Sequence, residues 1–138
     1  MQFRKLPIIA FWISAVLVLL STPVAAGFQL RSVFCDFGPS PDWAATILNW
    51  KHVIAYGALS ALGFVALRDR PFWQGALTLL AIMAGAELTQ AIFADGNCRL
   101  RDMLPNIIAV GAGAAVVSIF RRMQSWKRKA WPAPDTRT

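Results

Sequence analysis

Residues 81–106 read AIMAGAELTQAIFADGNCRLRDMLPN. An apolar run carries one carboxylate, Glu87, with Gln90 a helical turn later. A short polar loop follows, and a second apolar run then opens with Asp102 and Asn106. An ionisable residue inside a lipid-length apolar run is expensive, and by default that makes it a functional-site candidate. The remaining sequence is arranged as if to hold these groups at one depth in a membrane.

The totals support a membrane reading. The chain has 138 residues, of which 57% are hydrophobic and 15% charged, with a mean hydropathy of +0.49. A soluble domain carries about 25% charged residues. That deficit, together with long uncharged runs, fits one integral membrane domain. The net charge is +7. The excess lies in short segments between apolar runs, most densely over 121–129, and not on one face of a soluble domain. Such juxtamembrane segments orient a membrane protein and attract anionic lipid, so nucleic acid is not an expected partner.

In order, the sequence predicts an all-α, polytopic fold with four transmembrane helices at about 6–26, 48–67, 72–94 and 103–120. They form a domain over 1–121, followed by a basic tail over 122–138 that reads as a surface extension. Residues 6–26 have two readings. Arg4 and Lys5, the apolar stretch and Val24-Ala25-Ala26 resemble a cleaved signal peptide, but the apolar stretch is long for one, and a retained helix ending at Pro23 is preferred. Ser40-Pro41 is a helix-start signal. Trp43 and Trp50 suit an interfacial belt. Pro41 to Leu67 would be roughly 40 Å long at 1.5 Å per residue, so its first turns stand outside the hydrocarbon. Gly57 with Ala61, and Gly111 to Ala115, are small-residue faces that let helices approach closely in lipid. Pro105 falls in a first helical turn, where its missing N–H costs little.

Orientation follows from the basic residues. With four helices, one side holds ten of the Lys and Arg residues (Arg4, Lys5, Arg68, Arg70, Arg121, Arg122, Lys127, Arg128, Lys129 and Arg137). The other side holds four: Arg31, Lys51, Arg99 and Arg101. The excess assigns the first side, with both termini, to the cytoplasm. Cys35 and Cys98 then face outward in different loops. They could form a disulfide in an oxidising periplasm, or stay as two free thiols. With a single histidine they make no zinc motif, and no metal or cofactor is expected.

Three helices each offer a polar pair near their outer ends. These are His52 with Tyr56, Glu87 with Gln90, and Asp102 with Asn106, at spacings that share a helix face. Any one pair is readily explained as interhelical hydrogen bonding or a helix cap. Three pairs at one level favour a site. In one version Glu87 and Asp102 act as acid and base, with His52 as proton shuttle. In another, Lys51, His52, Arg99 and Arg101 hold an anionic head group. No Gly-rich phosphate loop, serine nucleophile elbow or HExxH pattern is present.

The arrangement resembles the VanZ-like family of small bacterial membrane proteins. The likeness rests on Leu20-Ser21-Thr22-Pro23, on His52 through Gly57, on Glu87-Leu88-Thr89-Gln90, and on Asp102, Asn106 and Gly111 in order. It spans roughly 15–120 and covers all four helices. Leu48 and Asn49 stand where the family often has Asp-Lys, and Gly96 stands where it usually has Arg, with Arg99 and Arg101 close by. The resemblance implies a multi-pass protein of the bacterial inner membrane, linked to the cell envelope and to antibiotic resistance of the glycopeptide type.

The expected ligand-binding set is His52, Tyr56, Glu87, Gln90, Arg99, Arg101, Asp102 and Asn106. The leading expectation is a binding or accessory module for an envelope lipid or glycan precursor. The alternatives are an enzyme using Glu87, His52 and Asp102 on a lipid-linked substrate, and a structural subunit. Expected partners are membrane lipids and a second copy of the chain.

Overall fold

The computed structural model describes residues 5–27, 29, 34–36, 50–95, 97–99 and 103–130, with the backbone alone at 34–36, 51, 94, 95, 97–99 and 127–130. Apart from turns and two short strands, these residues are helical. The order is α1 (Leu6–Ala25), β1 (Phe34–Asp36), α2 (Trp50–Ala66), α3 (Phe72–Gln90), a π-helical turn (Ala91–Asp95), β2 (Asn97–Arg99) and α4 (Met103–Ala130). The helix start expected at Ser40-Pro41 lies outside the described residues, as do Trp43, Arg101 and Asp102.

Three of these segments are long and apolar enough to cross a membrane: Leu6–Ala25, Phe72–Phe93 and Met103–Trp126. The shorter apolar helix His52–Ala66 is the fourth member. Their surfaces are inverted relative to a soluble bundle. Ile13, Val16 and Leu17 of α1, Leu77 of α3, and Val116 and Ile119 of α4 are exposed, while Ser60 and Asn106 are fully buried. Apolar side chains face outward where lipid would cover them, and polar ones turn inward, where only other helices can satisfy them.

The helix ends follow from sequence chemistry. Pro7 opens α1, where a missing N–H is harmless. Pro23 sits inside the last turn of the same helix, which continues to Ala25. Gly27 then takes φ +60, and its N–H donates to the Val24 carbonyl at 3.1 Å, closing the helix in the left-handed conformation that glycine adopts without strain. Between α2 and α3 the chain reverses at Arg68-Asp69-Arg70-Pro71. The Leu67 N–H bonds back to Gly63 and the Arg70 N–H to Leu67. Phe64 and Phe72 stack across this turn, with centroids 5.1 Å apart and planes at 2°.

The basic segment after Phe120 is exposed over 121–126, as a surface extension would be, but it continues the last helix. Helix α4 runs on through it to Ala130. No Gly or Pro interrupts 114–130, and Arg, Met, Gln, Lys and Ala are all good helix formers. Hydropathy finds where the apolar surface ends, whereas backbone propensity decides where the helix ends. Positive charge in a last turn also complements the helix dipole.

The core joins all four helices. Phe11 and Ala15 of α1 pack with Leu59 and Phe64 of α2, Leu79, Ile82 and Met83 of α3, and Val110 and Val117 of α4. Helices α2 and α4 share the most extensive interface. They meet so closely at Gly113 that a Cβ there would lie 2.5 Å from the Ser60 Cβ, 2.7 Å from the Ala61 nitrogen and 2.9 Å from the Gly57 carbonyl. Of the small residues on α4, Gly113 therefore sets the approach. Gly111 would meet nothing within 4 Å. This close crossing fixes how α2 and α4 present their polar residues at the His52 end.

Candidate functional site

At the start of α2, His52 stands one helical turn before Tyr56, and the two rings meet edge to face with centroids 4.4 Å apart. Near the end of α3, Glu87 faces the same point. In the first turn of α4, Asn106 is fully buried. Three helices therefore converge on the histidine. His52 Nε2 lies 3.0 Å from Asn106 Oδ1 and 3.1 Å from Glu87 Oε1. The residues are mostly enclosed, with the His52 and Glu87 side chains 23% and 18% exposed.

The two contacts are not equivalent. One ring nitrogen carries at most one proton, and both neighbours are oxygen acceptors. The contact to Asn106 is a hydrogen bond. The contact to Glu87 has the distance of an ion pair but lacks hydrogen-bond alignment, and Glu87 Oε1 is a buried oxygen with no hydrogen-bond partner among the described residues. The structure thus satisfies the asparagine and leaves a carboxylate oxygen facing the histidine edge. Such an atom is costly in a low-dielectric setting, and it can be relieved by a proton, a water molecule or a polar ligand group.

Asn106 is held on its other side as well. Its Nδ2 donates to Met103 Sδ at 3.7 Å. Met103 was no part of the expected site, although its place three residues before Asn106 on a helix would have indicated the contact. The neighbouring polar side chains are used locally. Ser60 Oγ donates to the Tyr56 carbonyl at 2.7 Å and Thr89 Oγ1 to the Ala86 carbonyl at 2.8 Å, so neither competes for Glu87.

Of the expected set, the structure brings His52, Tyr56, Glu87 and Asn106 together. Gln90 is exposed, one turn beyond Glu87. Arg99 is placed by its backbone in β2, and Arg101 and Asp102 lie outside the described residues. The π-helical turn Ala91–Asp95 follows α3 at this end; such turns recur at functional sites. Among the described residues no group of His, Cys, Asp and Glu could hold a metal ion.

The opposite end of the bundle is different in kind. Arg68 borders three clefts, of about 150, 270 and 720 Å³. The largest runs between α1, α2 and α4. Its walls are apolar, with Leu62, Val65 and Phe120 among them, and Arg68 and Arg121 stand at its rim. Arg121 also donates to the Phe64 carbonyl at 3.4 Å.

No family model, curated protein or solved structure matches the chain. The fold and the site define a class only: a small helical membrane-type bundle with a part-buried His–Glu–Asn cluster at one end.

Proposed function

We propose that the protein is a multi-pass protein of the bacterial inner membrane, of VanZ-like type, whose His52 end faces outward and binds the polar part of an envelope lipid or glycan precursor. The observation that carries this reading is the unsatisfied Glu87 oxygen beside His52 in a cluster drawn from three helices. Pure packing glue would be expected to close its own hydrogen bonds, whereas a receptor for hydroxyl or amide groups keeps an acceptor in reserve. Arg4, Lys5, Arg68, Arg70 and the basic run from Arg121 favour a cytoplasmic placement of the other end, with both termini. There the arginine-rimmed clefts meet anionic head groups. An effect on glycopeptide susceptibility would follow from binding a cell-wall precursor.

The test is the lipid and glycan content of the purified protein. Mass spectrometry of wild type extracted in mild detergent should find a bound envelope precursor, and Glu87→Gln should lose it while keeping its thermal stability. If His52→Ala, Glu87→Gln and Asp102→Asn all lower the yield of folded protein equally and nothing co-purifies, the cluster is structural glue and the proposal fails.

One observation favours a second reading. A carboxylate and an imidazole 3.1 Å apart are the pair that acid–base catalysis requires. Turnover of a lipid-linked substrate that disappears in Glu87→Gln would move the assignment from binding module to enzyme.

A further inference from the structure

The chain has two cysteines, and helical architecture does not bring them together, because they lie in separate segments far apart in sequence. A small parallel ladder does. Strand β1 pairs with β2, with Phe34 opposite Asn97, Cys35 opposite Cys98 and Asp36 opposite Arg99. The central rung of this ladder consists of both cysteines of the protein. Adjacent strands lie about 4.7–4.9 Å apart. A disulfide needs Cα atoms about 4.4–6.8 Å apart. A slip of one residue in either direction would take the cysteines out of register.

The ladder itself calls for reinforcement. It has two strands of three residues each. A lone two-stranded pair is at best marginally stable in water. It is also parallel, so α2 and α3 both lie in the connection between its strands. A covalent link at the central rung would turn this weak, non-local pairing into a fixed junction. It would close a ring containing His52, Tyr56 and Glu87, with Asn106 a few residues beyond Cys98.

We infer that Cys35 and Cys98 form an intramolecular disulfide that clasps the His52 end of the bundle. The bond forms by thiol–disulfide exchange. The two thiols give up two protons and two electrons, and the disulfide of an envelope thiol oxidoreductase takes them up and becomes a dithiol. The inference rests on the outward orientation proposed above, because an oxidising compartment is needed for the bond to persist.

The experiment uses the full chain in its native membrane, quenched in acid and handled without reductant. Maleimide should add to no cysteine before reduction and to both after it. The unreduced protein should be lighter than the reduced one by two hydrogens and should migrate as a monomer on a non-reducing gel. Cys35→Ser and Cys98→Ser should each expose one labelled thiol. Two labels on unreduced wild type, or a covalent dimer, overturns the inference. A membrane-impermeant maleimide applied to intact cells from the outer side then separates the two ideas. Free thiols labelled from outside overturn the bond and leave the orientation standing. Free thiols labelled only after the membrane is opened overturn both.

Discussion

The two ends of the helix bundle handle polar groups in opposite ways. At one end His52, Glu87 and Asn106 turn inward, and His52 contacts both of the others. At the other, Arg68, Arg70 and Arg122 are exposed, and Arg121 reaches back only to a backbone carbonyl. The ends are separated by the length of α2, about 21 Å from His52 to Ala66 at 1.5 Å per residue. Long basic side chains can reach the interface and stay hydrated. A carboxylate nearly two turns inside the end of an apolar run cannot, so it needs partners from other helices. The lesson concerns cost. Charge at the basic end is cheap and adjustable, whereas the polar groups at the His52 end sit where only side chains from other helices reach them.

The largest expected effect removes that geometry. In Gly113→Leu the new side chain collides with the Ser60 Cβ and with the backbone of Ala61 and Gly57. Relief by rotamer change is blocked, because two of the three nearest atoms are main chain. Helices α2 and α4 must separate, which pulls His52 away from Asn106 and opens the Arg68–Arg121 cleft together with it. Such overpacking costs about 1–3 kcal/mol or more. A size-exclusion profile with a thermal scan should show loss of the folded monodisperse species. If only one end of the bundle were disturbed, the view that a single crossing sets both ends would be wrong.

The next effect tests whether the ends differ in cost. His52→Ala leaves Asn106 Oδ1 without its donor and removes the ring that stands 3.1 Å from Glu87 Oε1. A buried acceptor left unpaired costs about 1–3 kcal/mol. Arg68→Gln removes an exposed charge whose ion pair with Asp69, at 3.9 Å, is open to solvent, so its stability should change by no more than about 0.5 kcal/mol. Paired thermal scans in one detergent decide the matter, and equal losses would erase the distinction.

Lipid affinity should rank the ends the other way round. Basic residues at a membrane surface contribute about 1 kcal/mol each toward anionic lipid. Arg68→Gln combined with Arg121→Gln should therefore weaken retention of an anionic phospholipid by roughly thirty-fold. Native mass spectrometry in mixed anionic and zwitterionic lipid reads the ratio directly. His52→Ala should leave that ratio unchanged, and a shift there would mean that the two ends are coupled.

How far the sequence discloses this contrast depends on the kind of signal. Glu87 is legible because a carboxylate in an apolar run breaks a strong expectation, and His52 and Asn106 follow from their level on neighbouring helices. The division of roles within the cluster is not legible, because spacing cannot say that His52 bonds to Asn106 and leaves Glu87 unmatched. The register of Cys35 with Cys98 is equally hidden. It depends on a pairing between short segments with α2 and α3 in between, for which local pattern carries no signal. The helical continuation to Ala130 was within reach, since helix propensity was there to be weighed against hydropathy.

The smallest expected effect is also the most exact test of that reading. Gly111 and Gly113 are two residues apart on α4, and composition treats them alike. The structure does not: a Cβ at 113 strikes the backbone of α2, whereas at 111 it meets nothing within 4 Å. Gly111→Ala therefore carries no packing penalty. It replaces a poor helix former with the best one, a gain of up to about 1 kcal/mol in a helix interior. The lipid-facing side of a membrane helix already holds its backbone bonds tightly, so the gain should fall below that ceiling. A thermal scan should show an unchanged or slightly raised midpoint, with the His52 cluster and the lipid ratio at Arg68 both unaltered. A clear loss of stability in Gly111→Ala would mean that this face is covered, either by a second copy of the chain or by a different packing of α4, and the tight crossing would then have to be reassigned from Gly113 to the whole small-residue face.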